Sequence, residues 1–133
     1  MSLSTYMQAI ATALETLGYQ ASSLTGGNSD AYDRYDINFT TGDASDQDAA
    51  NHVIRKYLIT ITLSIGSEYL TSDSYGYVEK ITNAQIAIDR VDKTGYGVFE
   101  LCTVRDTEKQ TDANVILAVL ETSIDVADNI EVC

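Results

Sequence analysis

An alternating stretch at the centre of the chain, VIRKYLITITLSI over residues 53–65, decides the fold. Its odd positions are mostly apolar and its even positions mostly polar, and Tyr57, Ile59, Ile61 and Leu63 share the apolar side. A period of two is typical of a β-strand with one buried and one wet face. At about 3.3 Å per residue the stretch spans about 43 Å, which is longer than a small domain needs. The sequence therefore predicts a long strand with room for a partner strand.

Two amphipathic helices flank this strand. The first is predicted over residues 5–17, where apolar side chains recur at the three- and four-residue spacing of one helical face. Ser4 is its predicted N-cap, and Gly18 is the predicted stop after its last turn. The second is predicted over residues 75–90. Its expected apolar face consists of Val78, Ile81, Gln85 and Ile88, with Tyr77 and Ala84 beside them.

Three further strands follow from short alternating or apolar runs, at residues 34–40, 98–105 and 115–124. Polar loops are predicted near 19–33 and 42–51, a charged turn at 106–112, and a flexible C-terminal end at 127–133. Strands follow one another without an intervening helix twice, which favours antiparallel pairing and leaves both helices free to cover one face. The expected fold is a single α+β domain over residues 1–133. It has two layers, an antiparallel or mixed sheet of about four strands with two helices on one face.

Charge excludes some classes of partner. Twenty acidic residues against eight Lys and Arg give a formal net charge of -12, while apolar residues make up 44% of the chain, as in ordinary globular proteins. A field of this sign disfavours proteins that grip phosphate backbones or anionic lipid. The first six residues lack the features of a secretory signal, and the longest apolar run, residues 115–120, is far short of the roughly 20 residues that span a bilayer. No membrane partner is expected.

Residues with catalytic or metal-binding chemistry are few and scattered. His52 is the only histidine, and Cys102 and Cys133 lack metal-ligand spacing, so both are expected to be free thiols. The acidic loop from Asp43 to Asp48 lacks the glycine and glutamate positions of a calcium loop, and no glycine-rich phosphate motif follows a strand. We expect no catalytic, cofactor or metal site, and therefore no enzyme.

Tyrosines and acidic loops provide the candidate interface residues. Nine tyrosines lie mainly near predicted loop and helix edges, where either core-edge packing or contact with a neighbouring subunit explains them. Carboxylates concentrate between residues 28 and 51, where they either keep the loops solvated or line a passage. The candidates for an interface or lumen are Asp30, Asp33, Asp43, Asp46, Asp48, Tyr32, Tyr69 and Tyr75.

The order of these elements resembles the tail-terminator, or tail-completion, proteins of long-tailed bacteriophages. The similarity runs from about residue 4 to 126: an opening helix that ends at Leu17 and Gly18, the strand around 35–39, and the long strand at 53–63. A helix and two closing strands through residues 99–102 and 116–120 complete it. The resemblance lies in this order and not in a signature motif, so it assigns no residue roles.

The resemblance implies a structural virion protein that is assembled in the host cytoplasm. Such a subunit forms a homohexameric ring that caps the tail tube, stops its polymerisation and joins it to the head connector. DNA would pass through the ring without specific binding, and the negative charge of the chain has the sign that such a passage needs. The alternative is an acidic soluble adaptor or inhibitor that binds a basic protein partner and is monomeric or dimeric.

Overall fold

The long central strand and its neighbours form one sheet, which a computed structural model describes over residues 2–21, 33–47, 52–66, 76–110 and 115–129. Two helices and five strands lie within these residues. In chain order they are α1 (Leu3–Thr16), β1 (Gln20–Ala21), β2 (Arg34–Gln47), β3 (His52–Ile65), α2 (Gly76–Asp89), β4 (Phe99–Gln110) and β5 (Val115–Asn129). The predicted α+β class is confirmed.

The strands form a mixed sheet in the order β1-β2-β3-β5-β4. The central strand β3 pairs antiparallel with β5 from His52 to Ile65, along its whole length. The β2–β3 and β5–β4 pairs are also antiparallel, whereas β1 runs parallel to β2. The strand β1 is one more than the four expected, and it lies in the predicted loop at 19–33, where Gln20 donates its backbone N–H to the carbonyl of Asp33 at 2.9 Å.

Both helices pack on the same face of this sheet, as the alternation predicts. On β3 the side chains of Ile59, Ile61, Leu63 and Ile65 are fully buried, and on β5 those of Ile116, Ala118 and Leu120 lie opposite them. One apolar core joins these side chains to α1 and α2. The helices contribute Tyr6, Ile10, Ala11, Leu14, Ile81, Ala84 and Ile88. The opposite side of the sheet, called the open face below, is not covered by either described helix.

The helices differ from the sequence-based prediction in two details, the N-cap of α1 and the buried face of α2. The N-cap of α1 is Ser2 and not Ser4, because the Ser2 hydroxyl accepts the Thr5 backbone N–H at 3.1 Å. The helix stops where expected, since Gly18 adopts a positive φ of 104°, a conformation that favours glycine. In α2 the predicted face is only partly right: Val78 is 46% exposed, and Ala84 instead is buried between the other apolar positions.

Three strands are longer than predicted. The expected loop at 42–51 begins late because β2 continues to Gln47 across two bulges, and Gly42 allows a close approach: a Cβ there would lie 3.1 Å from the Lys56 carbonyl. The charged turn expected at 106–112 is wrong over its first five residues, which form the end of β4 and pair with the start of β5. The strand β5 runs to Asn129, into the predicted C-terminal end.

Candidate assembly surfaces

One edge of the sheet is the twelve-residue strand β4. Within the described residues β4 pairs only with β5, so its second side presents backbone groups that no described strand satisfies. The Lys109 ammonium of β4 lies over the Tyr77 ring of α2, 5.2 Å from its centroid, and α2 also holds the bulge of β4 around Cys102. There the Asp89 carboxylate accepts the Cys102 N–H at 2.8 Å, and Gln85 donates to the Cys102 carbonyl at 2.9 Å. An edge strand of this length is a template for pairing with another chain unless it is protected.

The first half of β4 is also exposed and apolar. The side chains of Val98 and Leu101 are 74% and 61% exposed, and Phe99 and Val104 are exposed as well. The only charge in residues 98–104 is Glu100, which pairs with Lys56 at 2.7 Å. A group of exposed apolar side chains on an edge strand indicates an interaction site more strongly than a single exposed apolar side chain does.

The other edge of the sheet is β2, beside an apolar groove. The short strand β1 pairs only with Arg34 and Tyr35, so β2 beyond Tyr35 has no described strand on its outer side. Between this edge and α1 lies a groove of about 530 Å³, called the α1–β2 groove. It is lined by Ser4, Met7, Gln8, Ala11, Ala21, Tyr35, Asp36, Ile37 and Phe39. Phe39 remains 49% exposed at the end of the groove, although its ring contacts that of Tyr57 at a centroid distance of 6.1 Å.

The open face of the sheet carries charged and polar side chains. Two ion pairs lie on it, Lys56 with Glu100 and Arg105 with Glu121, each at 2.7 Å. The Ser123 hydroxyl also donates to the Glu100 carboxylate at 2.7 Å. Hydrogen bonds from Lys56 and Ser123, with the lysine's charge, hold the pKa of Glu100 below its usual value. The pKa of Lys56 is correspondingly raised, chiefly by its hydrogen bond to Glu100.

Carboxylates outnumber cations on this face. Among the side chains that the structure describes, the strand registers place six carboxylates there, on Asp36, Glu100, Asp106, Glu108, Glu121 and Asp125. The cations on the same face are Arg34, Lys56 and Arg105. The open face is therefore a mainly acidic surface, and its sign is opposite to that of a surface that binds phosphate.

The acidic residues predicted for an interface or lumen do not form one cluster in the described part of the chain. Asp33 lies just before β2, where its carboxylate pairs with Lys80 of α2 and accepts the Gly66 N–H at 3.0 Å. It therefore joins a strand to a helix. Asp43 and Asp46 lie in the second half of β2, Asp43 in the bulged segment and Asp46 opposite Ile54. Asp30, Asp48, Tyr32, Tyr69 and Tyr75 lie outside the described residues.

The acidic residues of the open face were missed by the sequence analysis, although one signal for them was present. From Leu117 to Asp125 every second residue of β5 belongs to the open face, and the alternation continues past the predicted end at Ile124. Glu121 and Asp125 occupy polar positions of that pattern. Carrying the period of two to the end of β5 would have placed these carboxylates on the face opposite the helices.

Of the cysteine and histidine residues considered for chemistry, Cys102 lies in the bulge of β4, and Cys133 lies outside the described residues. Cys102 is a free, buried thiol, and burial together with the nearby Asp89 carboxylate raises its pKa to about 12. His52 is the first residue of β3. Among the described residues no group of three histidine, cysteine or acidic side chains is arranged to hold a metal ion. No helix in this part of the chain is long and apolar enough to cross a membrane.

Comparison with known proteins does not assign the chain to a family. No protein-family model matches it, and no curated protein sequence matches it. The features of the chain that bear on its function are therefore the two sheet edges and the acidic open face.

Proposed function

We propose that this chain is a ring-forming structural subunit of a bacteriophage tail, which caps the tail tube, stops its polymerisation and joins the tube to the head connector. The observation that carries the proposal is the pair of available sheet edges, β4 with exposed apolar side chains and β2 beside an apolar groove. The two edges lie at opposite ends of one sheet and have different surfaces.

Different surfaces at opposite edges favour head-to-tail association. A contact between unlike patches repeats from copy to copy, and it forms a ring where the rotation closes. A contact between two like edges would instead form a two-fold dimer and stop there. A homohexameric ring is the closed form that the resemblance to tail terminators implies.

The acidic open face supports a passage for DNA that does not bind it. A continued sheet would keep the helices of every copy on one side and the open faces on the other. If the open faces line the bore, their carboxylates repel the phosphate backbone at short range, since the Debye length is about 8 Å at physiological salt. Asp33 fits this role poorly, because its carboxylate is already paired with Lys80. The open-face carboxylates take its place in the proposal.

Light scattering and negative-stain imaging test the proposal on the full chain, alone and mixed with tail tubes of the same phage. We expect rings that bind at one end of the tubes and limit their length. Leu101→Lys, on the exposed edge of β4, should weaken ring formation because an edge lysine blocks strand addition. Val78→Lys is the matched control, because Val78 is an exposed apolar residue of α2 and belongs to neither edge strand.

A protein that stays monomeric at every accessible concentration, with and without tubes, would overturn the ring. The remaining candidate would then be the acidic adaptor, which the net charge of -12 favours. That function predicts binding to a basic protein that weakens steeply as salt is raised.

A further inference from the structure

We propose that the α1–β2 groove binds the first half of strand β4 from the next copy of the chain. In this contact β4 pairs antiparallel with the outer edge of β2 beyond Tyr35, where no described strand lies, and seats its Phe99 side chain in the groove. The inference rests on the proposed function, since it names the two surfaces that join neighbours in the ring.

The direction of the strands sets the antiparallel pairing. The strands β2, β3, β5 and β4 are neighbours in that order, and each runs opposite to the next. The strand β4 therefore runs opposite to β2 of its own copy. In a ring whose axis is parallel to the strands, rotation from one copy to the next leaves the direction of every strand unchanged. The strand β2 of the next copy therefore lies antiparallel to β4 when the sheet continues across the contact. This pairing extends the same ladder that joins the long strands within one copy.

The register selects the side chains that face the groove. Phe99 is paired with Ile124 and Val104 with Leu120, and both partners are fully buried on the helix side of the sheet. In a continued sheet Phe99 and Val104 stay on that side, which is where α1 and β2 form the groove. Leu101 lies on the opposite side, next to Glu121 and Ser123.

The chemistry of the groove matches this segment of β4. Met7, Ala11, Ile37 and Phe39 provide apolar walls, and among the described lining residues Asp36 alone is charged. Asp36 already accepts a hydrogen bond from the Asn38 amide at 2.9 Å. The segment 98–104 carries one charge, which is paired, and the Lys93 ammonium lies over the Phe99 ring, 4.9 Å from its centroid. Two copies with a net charge of -12 each would therefore meet through surfaces that carry little of that negative charge. This match between two patches of one chain favours a second copy over an unrelated ligand as the occupant.

Cross-linking between copies tests the contact, in a chain with Cys133→Ser. Gln8→Cys places a thiol in the groove and Val104→Cys places one on the helix side of β4. The double variant, treated with a short bismaleimide, should give a ladder of multimers, whereas each single variant should give no cross-linked dimer. The control is the double variant Gln8→Cys with Val78→Cys, which should give no ladder.

Substitution of Phe99 tests its place in the groove. Phe99→Lys should raise the protein concentration for half-maximal assembly by at least about tenfold, and Phe99→Leu should restore most of the assembly. The circular dichroism spectrum of each variant shows whether it has folded, so that loss of assembly and loss of fold are distinguished.

The possible outcomes separate this contact from the proposed function. Rings that form without a ladder, or that tolerate Phe99→Lys, would overturn the groove contact and leave the ring intact. Cross-linked dimers of the Val104→Cys variant alone would indicate a like contact between two β4 edges and would also overturn it. A chain that never assembles would overturn both proposals.

Discussion

The burial of only one face of the sheet is tested by truncating neighbouring residues of β3. Ile61 is fully buried on the helix side, between Ile37 of β2 and Leu120 of β5. Ile61→Ala removes three carbon atoms from this site, and such changes in a core cost about 2–5 kcal/mol. Because strands flank the site on both sides and helices cover it, little collapse is possible, so we expect about 3–4 kcal/mol. That is a large part of the about 5–15 kcal/mol by which domains are stable.

Thr60→Ala is the matched control on the other face of the same strand. Thr60 lies between Asn38 and Glu121, is only half-buried, and has no described helix above it. Its truncation should cost less than about 0.5 kcal/mol, as substitutions away from a packed core usually do. The two variants therefore shorten side chains on opposite faces of the sheet at adjacent positions of the same strand.

Denaturant unfolding measures both changes, at one protein concentration because assembly adds stability by mass action. A loss below about 0.5 kcal/mol for Ile61→Ala would refute the assignment of the buried face. Equal and large losses for both variants would mean that the sheet is covered on two sides. In that case the open face could not line a passage, and the part of the proposed function that concerns DNA would fail with it.

Three further predictions concern the open face and the buried thiol. The pKa of Glu100 is lowered in the folded state, so this carboxylate stabilises the fold above its unfolded pKa and ceases to do so as the pH falls through its folded pKa. The difference in free energy of unfolding between wild type and Glu100→Gln should therefore become smaller from pH 7 to pH 3. Cys102, with its pKa raised to about 12, should react with a thiol reagent at pH 8 only on unfolding, in a variant whose C-terminal cysteine is serine; rapid labelling of the folded protein would contradict its burial. Glu108→Gln, on the open face and beyond the first half of β4, should leave assembly intact and increase DNA retention at low salt, an increase that fades above about 0.15 M. Glu79→Gln on α2 removes the same charge and should increase retention less; equal increases would mean that net charge alone matters.

The parts of the fold that follow a strong period could be predicted from sequence. The alternation in β3 and the helical spacing in α1 specify both the element and its buried face, because burial on one side imposes the period. The ends of β2 and β4 could not be predicted in this way. Residues 106–110 are polar or charged and have the composition of a turn, yet they form a strand because β5 lies alongside and supplies hydrogen bonds. The composition of the segment itself does not show that a neighbouring strand pairs with it.

The assembly surfaces were less accessible to sequence reasoning than the core. Which strands become edges depends on the order β1-β2-β3-β5-β4, in which β5 comes between β3 and β4. Nor does the sequence indicate that the Asp33 carboxylate is taken up by Lys80, 47 residues away. Asp33 was a candidate for a lumen because carboxylates are frequent around it, but a single long-range ion pair gives it a different role. Frequency of charge predicts the sign of a surface and not the partner of each group.

The distribution of charge makes strong acidity compatible with self-association. Copies with a net charge of -12 repel one another, so a contact between them must exclude most of that charge from the surfaces that meet. The first half of β4 and the α1–β2 groove each contain one carboxylate, and each carboxylate already has a partner, Lys56 for Glu100 and Asn38 for Asp36. By register both carboxylates belong to the open face, which among the described side chains also carries four more, on Asp106, Glu108, Glu121 and Asp125. An adaptor that binds a basic protein needs the reverse arrangement, with its carboxylates on the surface of contact. The apolar edges are thus separate from most of the acidic face. This arrangement favours a subunit that binds copies of itself through the edges and leaves most of its carboxylates outside the contact.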